Sequence, residues 1–208
     1  YANDISGEIA LNEAQAMVER GLAARGYATI NIDAGWQGDR EQWGDHALLA
    51  NAKFPDIKGL FAKIHALGLR VGLYSSPMIF TWGSAESALY QGSTTFPVDY
   101  SEPGHNYGIG KTHKERADAA LWAKWGVDYI KYDWGCDTRP KFAKRMREAL
   151  DATGRDVYLS VCTDCLVEDA EEHAKYAQIV RGNRDIVDRW KTGGDKPRGV
   201  ADLIPYQR

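Results

Sequence analysis

Apolar residues recur along the chain in two alternating patterns, one typical of amphipathic helices and the other of short buried strands. The helical spacing predicts helices at residues 12–24, 56–67, 114–125, 139–152 and 168–176, and the opening of another at 185–190. Short β-branched and aromatic runs predict strands at residues 27–33, 69–74, 127–134, 157–161 and 177–181. Glycines that favour helix ends follow four of the predicted helices: Gly26, Gly68, Gly126 and Gly154.

This alternation predicts βαβ units and a parallel sheet in an α/β fold. No GxGxxG sequence follows the first strand and no Walker lysine motif occurs, which argues against a nucleotide-binding doubly wound sheet. A (β/α)8 TIM barrel fits better, but a full barrel takes about 250 residues. Since the 208 residues hold five predicted strands, we expect a partial barrel over residues 1–208. It would have about five or six βα units, with the first strand and the last units missing.

Bulk composition argues against some classes of partner and favours another. The net charge is −3 and the basic residues are scattered, which argues against a nucleic-acid partner. No apolar run approaches the length of a membrane span, and no signal peptide is visible in a chain that begins with tyrosine. We therefore expect no membrane partner, and either a processed protein or a piece of a longer one. Seven tryptophans and eleven tyrosines favour a carbohydrate ligand, with an aromatic-rich core as the alternative explanation.

The cysteines and histidines form no recognisable metal-binding pattern. Cys162 and Cys165 have CxxC spacing, but no second CxxC or histidine pair accompanies them, which disfavours a zinc or redox site. Two partly buried thiols, or one disulfide to Cys136, are the favoured interpretations. His105 and His113 lack a third ligand at metal-binding spacing. We expect neither a metal nor another cofactor.

The predicted strand at residues 127–134 ends in the most informative residues of the chain. Lys131 and Asp133 lie two positions apart, so their side chains project to the same side of the strand. Side chains at the carboxyl ends of barrel strands point into the active site, and Asp33 ends the first predicted strand in the same way. Asp133 is thus placed as a nucleophile or general base. A buried ion pair that closes the top of the barrel is the structural alternative.

Four groups of residues, in order along the chain, carry a family resemblance. They are Gly21-Leu22 with Gly26-Tyr27 before the Asn-Ile-Asp strand end, residues 51–58 followed by 65–74, residues 118–133, and Arg181 with Asp185, Asp188 and Trp190. On these motifs, the chain resembles the catalytic barrel of glycoside hydrolase family 27, the α-galactosidase or melibiase family, as a divergent fragment of bacterial type. The matches extend over roughly the whole chain, and the second group is the most specific.

The resemblance implies a retaining exo-glycosidase that hydrolyses terminal α-galactosides by double displacement. Asp133 would be the nucleophile and Asp185 the general acid/base, because retention needs two carboxyl groups about 5–5.5 Å apart. The structural alternative for Asp185 is the N-cap of the helix predicted at 185–190. By family, the protein would be secreted or periplasmic. Family members usually carry a C-terminal β-sandwich, which we do not expect within this chain.

Some positions that match the sugar-binding pattern of the family depart from it. Asp33 matches the first of two adjacent aspartates that hold galactose hydroxyls, whereas Ala34-Gly35 replaces the second aspartate and a cysteine. Thr163-Asp164 stands where many members have Glu-Trp, and Ser76 replaces another aspartate. Losing such contacts should shift specificity, because a site discriminates through the hydroxyls that it bonds. Galactose is the default sugar, and a β-L-arabinopyranoside or the glucose of an isomaltose unit is the alternative.

Other positions agree with the family or offer aromatic surface. Tyr74, Lys131 and Arg181 match the pattern. Trp36 and Trp134 follow strand ends, where each is a candidate either to stack on a sugar or to line the pocket wall. The expected substrate-binding residues are Asp33, Trp36, Tyr74, Lys131, Cys162, Thr163 and Arg181.

Two other classes of function stay open. Lys131 fits the Schiff-base amine of a barrel aldolase or isomerase, but the pair of Arg181 and Asp185 would then have no role. The chain also fits an inactive, carbohydrate-binding fragment, since a barrel that lacks strands exposes two sheet edges. The expected partner is an oligosaccharide or another glycoside, and the sequence does not indicate an oligomeric state.

Overall fold

A computed structural model of the chain describes residues 4–77, 100–102, 109–110, 113–133, 140–162, 170–181, 185–194 and 198–203. The strands are β1 (Thr29–Ile32), β2 (Gln37–Arg40), β3 (Leu48–Ala50), β4 (Arg70–Ser75), β5 (Tyr100–Glu102), β6 (Ile109–Gly110), β7 (Tyr129–Tyr132), β8 (Tyr158–Cys162) and β9 (Ile179–Arg181). The helices are α1 (Gly7–Glu19), α2 (Ile57–Ala66), α3 (Glu115–Trp125), α4 (Pro140–Asp151), α5 (Ala170–Ala174) and α6 (Val200–Leu203).

Five of these strands form one parallel sheet in the order β1-β4-β7-β8-β9. Neighbours in the sheet follow one another along the chain once the two small hairpins are set aside, and a helix lies between each pair. This is the connectivity of consecutive units of a (β/α) barrel, so the predicted α/β class and the five predicted strands are confirmed. Among the described strands, β1 and β9 lie at the edges of the sheet.

One face of the sheet packs against the helices and forms the core. In β1 the side chains of Ile30 and Ile32 are buried, whereas the alternate residues Thr29 and Asn31 are exposed. The buried strand residues form a single cluster with apolar residues of α1 to α4. Because strand side chains alternate between faces, residues of the other parity, such as Lys131, project from the opposite face. The alternation therefore separates the core from the face that carries polar chemistry.

Local signals account for most of the helix boundaries. The Asp56 side chain accepts a 2.9 Å hydrogen bond from Gly59 N and caps α2, and Gly68 follows that helix with φ 80°. The prediction for α1 was wrong at both ends, because Ser6 caps the helix and its side chain accepts from Ile9 N. The helix stops at Glu19, and Gly26 ends a separate short 3₁₀ helix instead.

The helix predicted at residues 185–190 is not formed, so the interpretation of Asp185 as a helix N-cap is wrong. The backbone of this segment bonds instead to residues 198–201. Val187 N donates to Arg198 O at 3.0 Å, and Ala201 N donates to Trp190 O at 2.8 Å. These bonds to a segment ten or more residues away compete with the local bonds of a helix.

An antiparallel hairpin of β2 and β3, which the sequence pattern did not predict, follows β1. Arg40 of the hairpin forms a bidentate bond with Asp118 of α3, at 2.8 and 3.1 Å, with both side chains buried. Asp118 also accepts from Leu48 N at 2.8 Å. The hairpin is thereby fixed to the helix that leads into β7.

Two other expectations, on the cysteines and on membrane spans, can be compared with the structure only over the described residues. Cys162 is a buried free thiol, whereas Cys136 and Cys165 lie outside the described residues, as does any disulfide between them. Within the described ranges, no helix has the length and the apolar character that a membrane crossing requires.

Candidate active site

The carboxyl ends of the five parallel strands gather most of the predicted site residues. Tyr74 of β4 is in register with Lys131 of β7, and Cys162 of β8 is in register with Arg181 of β9. Asp133 follows β7 directly, and its backbone N donates to Ser75 O of β4 at 2.9 Å. The sheet therefore brings these side chains together at one end.

Lys131 connects three of the predicted site residues. Its Nζ donates to Asp33 Oδ2 at 2.8 Å, lies 3.9 Å from Asp133 Oδ2, and lies 5.2 Å from the centre of the Tyr74 ring. Burial acts to lower the pKa of Lys131, but the bond to Asp33 and the charges of Asp33 and Asp133 outweigh it and raise that pKa. Lys131 is therefore a cation in this site, whereas a Schiff-base lysine needs its amine neutral.

Asp133 lies between two cations. Lys131 Nζ is 3.9 Å from its Oδ2, and Arg181 Nη2 is 3.9 Å from its Oδ1. The Asp133 side chain is 20% exposed, so one side of the carboxylate remains accessible to solvent. Both cations attract the carboxylate electrostatically and so restrain it between them.

Arg181 contacts both predicted catalytic carboxylates. While its Nη2 faces Asp133, its Nη1 donates to Asp185 Oδ1 at 2.5 Å. The Asp185 side chain is 68% exposed, and its backbone O accepts from Arg198 Nε at 2.9 Å. Burial acts to lower the pKa of Arg181, but Cys162 in its ionised form and the carboxylates of Asp185 and Asp133 raise it. The guanidinium is thus a fixed positive charge between two carboxylates.

Cys162 completes the surroundings of Asp133 as a neutral group. Its side chain is buried and forms a hydrogen bond with the Asp133 carboxylate. Burial, reinforced by the charge of Asp133, raises the pKa of the Cys162 thiol to about 12. The thiol therefore stays protonated at physiological pH and donates a hydrogen bond to the carboxylate.

Trp36 is fully buried, which does not fit the expected stacking on a sugar. Its ring makes edge contacts with Trp122 and Trp125 of α3, with centroids 6.1 and 6.0 Å away. Its Nε1 donates to Tyr74 O at 3.0 Å. The structure therefore favours the alternative role, in which Trp36 supports the wall of the site from behind.

The remaining candidates divide between residues that sequence reasoning missed and residues whose structure is not described. Thr163 and Trp134 lie outside the described residues. Sequence reasoning missed Gln37, which is fully buried and bonds to the turn after β1. A single glutamine after a tryptophan carries no local signal of burial.

Over the described ranges, no group of three or more His, Cys, Asp or Glu side chains is arranged to hold a metal ion.

Comparisons with known proteins identify the family to which the chain belongs. The melibiase family model, described as α-galactosidase A, matches residues 1–196 of the chain. The chain belongs to the melibiase family, glycoside hydrolase family 27. Melibiase relatives include α-galactosidase A of Cellvibrio japonicus, 35% identical over 188 residues, which are 88% of this chain and 38% of the relative. A probable α-galactosidase of Dictyostelium discoideum is 34% identical over 166 residues, 78% of this chain and 37% of the relative.

Solved structures place the same family fold on nearly the whole chain. A putative α-galactosidase from Bacteroides fragilis has a TM-score of 0.75 at 26% identity, covering 98% of this chain and 41% of that one. The α-galactosidase I of Mortierella vinacea has a TM-score of 0.70 at 30% identity, covering 93% of this chain and 45% of that one. This chain therefore spans about two fifths of the length of the melibiase relatives that it matches.

Proposed function

We propose that this chain carries the nucleophile and the acid/base residue of a retaining exo-glycosidase that hydrolyses terminal α-galactosides. One observation carries this proposal: the guanidinium of Arg181 contacts both Asp133, directly after β7, and Asp185, four residues after the end of β9. Membership of a family whose relatives are named α-galactosidases supports the substrate class. We further propose that residues 1–208 are part of the catalytic barrel of such an enzyme.

The first step forms a covalent intermediate. The Asp133 carboxylate attacks the anomeric carbon and forms a glycosyl ester, while Asp185 donates its proton to the departing glycosidic oxygen. Lys131 and Arg181 hold the nucleophile from its two oxygens, which limits its rotation before attack. The Cys162 thiol donates to the same carboxylate without competing as a nucleophile, because it remains protonated.

The second step returns the enzyme to its starting state. Asp185, now ionised, takes a proton from water, and the resulting hydroxide equivalent displaces Asp133 from the anomeric carbon. Two inversions leave the sugar with its original anomeric configuration. To donate its proton in the first step, Asp185 must exchange its bond with Arg181 for one with the glycosidic oxygen. Its exposure of 68% leaves room for that movement.

Asp33 is the proposed contact for substrate hydroxyls. Its carboxylate is 58% exposed at the end of β1, and Lys131 holds it at 2.8 Å. Ala34 adds no second carboxylate beside it, and Ser76 is a fully buried small residue. These departures favour a second candidate, in which the same mechanism acts on a different pyranoside, such as a β-L-arabinopyranoside or an isomaltose-type glucoside.

The substrate is tested with the full-length protein that contains this chain. Aryl α-galactoside, β-L-arabinopyranoside and α-glucoside are offered separately, and released aryl alcohol is measured. Highest kcat/KM on the α-galactoside is the expected result, and highest kcat/KM on either other glycoside favours the second candidate. Hydrolysis of none of them by a folded protein would contradict the proposal. Borohydride trapping of a substrate on Lys131 would instead indicate Schiff-base chemistry.

A further inference from the structure

A buried glutamine fixes the turn that presents Asp33. Gln37 is fully buried, and its Oε1 accepts a hydrogen bond from Gly35 N at 2.8 Å. Its Nε2 donates to Tyr74 O at 3.4 Å, and Trp36 Nε1 donates to the same oxygen at 3.0 Å. The side chain of Gln37 therefore connects the turn after β1, residues 33–36, to the end of the neighbouring strand β4.

The same turn is held from its other side by Asn51. The Nδ2 of Asn51 donates to Gly35 O at 2.8 Å and to Gln37 O at 3.1 Å. Both backbone polar groups of Gly35 are thus bonded to side chains. Gly35 has φ 112°, a left-handed conformation that favours glycine. The turn is built around one backbone geometry that a residue with a Cβ would strain.

This geometry determines where the Asp33 carboxylate lies. Asp33 Oδ1 accepts from Ala34 N at 2.8 Å, within the turn, while Oδ2 accepts from Lys131 Nζ at 2.8 Å. The Asp33 side chain is 58% exposed, and within the described residues its carboxylate bonds to Ala34 N and Lys131 Nζ. A shift of the turn would separate the carboxylate from Lys131.

We propose that Gln37 is a positioning residue for sugar binding, which acts by holding the turn of residues 33–36 so that Asp33 stays bonded to Lys131. This inference rests on the proposed function, since it takes Asp33 as the contact for substrate hydroxyls. A glutamine with a merely structural role would stabilise the fold, but its removal would affect activity in the same way whether or not Asp33 were present.

A double-mutant cycle separates these two roles in the full-length enzyme. Gln37→Met removes both side-chain bonds at similar volume, and Asp33→Asn weakens the substrate contact. We expect Gln37→Met to raise KM on the order of tenfold, with a smaller change in kcat, as for a lost buried hydrogen-bond pair. In the Asp33→Asn background the same substitution should change KM less than threefold or so, because coupled residues are not additive.

Two further variants make the result specific. Gln178→Met is the matched control: it removes the bond from Leu159 N to Gln178 Oε1, 2.8 Å, before β9, and should leave KM unchanged. Gln37→Asn keeps an uncharged amide but is one methylene shorter, so it cannot reach both Gly35 N and Tyr74 O. It provides the same cycle if Gln37→Met does not fold, and thermal unfolding identifies that case.

The outcomes distinguish this inference from the proposed function. An active wild type whose KM is unchanged by Gln37→Met, or changed equally in both backgrounds, would overturn the role of Gln37 alone. A folded wild type that hydrolyses no glycoside would overturn the proposed function and, with it, this inference. A raised KM that disappears in the Asp33→Asn background supports both.

Discussion

Lys131 reaches across an intervening strand to hold Asp33. Its Nζ lies 2.8 Å from Asp33 Oδ2, although β7 and β1 are separated in the sheet by β4. The lysine crosses above the ring of Tyr74, the β4 residue with which it is in register. The bond connects Asp33, the proposed sugar contact, to the strand that leads to Asp133, the proposed nucleophile. A substitution of Lys131 should therefore affect both substrate binding and catalysis.

Lys131→Met should weaken substrate binding and slow the reaction. The substitution removes the partner of Asp33 and one of the two cations beside Asp133, so KM should rise on the order of tenfold or more and kcat should fall. Steady-state kinetics on the preferred aryl glycoside measure both. Lys144→Met is the matched control, because Lys144 forms an exposed pair with Glu148 on α4. Equal kinetics in the two variants would contradict the role given to Lys131.

Asp133→Asn should abolish turnover without unfolding the protein. An amide cannot form the glycosyl ester, so kcat should fall roughly 10⁴-fold or more. Asp151→Asn is the control, since Asp151 is an exposed partner of Arg147 at the end of α4. Circular dichroism establishes that both variants are folded. A folded Asp133→Asn protein with near-normal kcat would rule out the assignment.

Asp185→Ala should lose most of its activity on substrates with poor leaving groups. On substrates with good leaving groups, added azide should restore turnover. A good leaving group needs no proton, and azide attacks the intermediate without help from a base. If Asp133 attacks an α-linked sugar, the intermediate is β-linked, and azide displaces Asp133 with a second inversion to give the α-configured glycosyl azide. Chromatography and NMR identify the anomer. Isolation of the β anomer from an α-linked substrate would indicate that azide had replaced the nucleophile itself, and no rescue at all would remove Asp185 from the acid/base role.

The bonds around Asp128 should make the folded protein less stable as the pH falls into the acid range. Burial acts to raise the pKa of Asp128, but bonds from Val71 N, His65 and Arg155 hold it below its usual value. As the pH falls, Asp128 is protonated in the unfolded chain before it is protonated in the folded one. The contribution of ionised Asp128 to the free energy of unfolding is therefore present above about pH 4 and is lost as the pH falls through its folded-state pKa.

Urea unfolding from pH 7 down to pH 3 measures this contribution. Asp128→Asn should lower the free energy of unfolding by about 2 kcal/mol at pH 7, as for a lost charged hydrogen bond, and by less at pH 3. The exposed Asp151 again provides the control, with a smaller effect at pH 7. A loss that is constant over this range would contradict the ionised state assigned to Asp128.

Local patterns were sufficient to predict the parallel sheet and the residues at its strand ends. A short apolar run identifies β4, and a capping aspartate and a following glycine define α2. Lys131 and Asp133 could be placed from sequence because a strand fixes side-chain direction by residue parity. These features depend on neighbours within a few residues.

Features that depend on distant partners could not be predicted in this way. The burial of Trp36 results from α3, whose Trp122 and Trp125 pack around it. Arg40 and Asp118 are 78 positions apart, and their bond fixes a hairpin whose strands are only four and three residues long. At residues 185–190, backbone bonds with residues 198–201 replace a helix that the local pattern favoured.

The central claim is that Asp133 forms a covalent bond with the sugar. A fluorinated mechanism-based glycosyl probe, which forms the ester but slows its hydrolysis, is incubated with the full-length enzyme, and peptides are mapped by mass spectrometry. We expect one added glycosyl group, located on Asp133 and absent in the Asp133→Asn variant. A label on any other residue, or its persistence in that variant, would show that Asp133 is not the nucleophile.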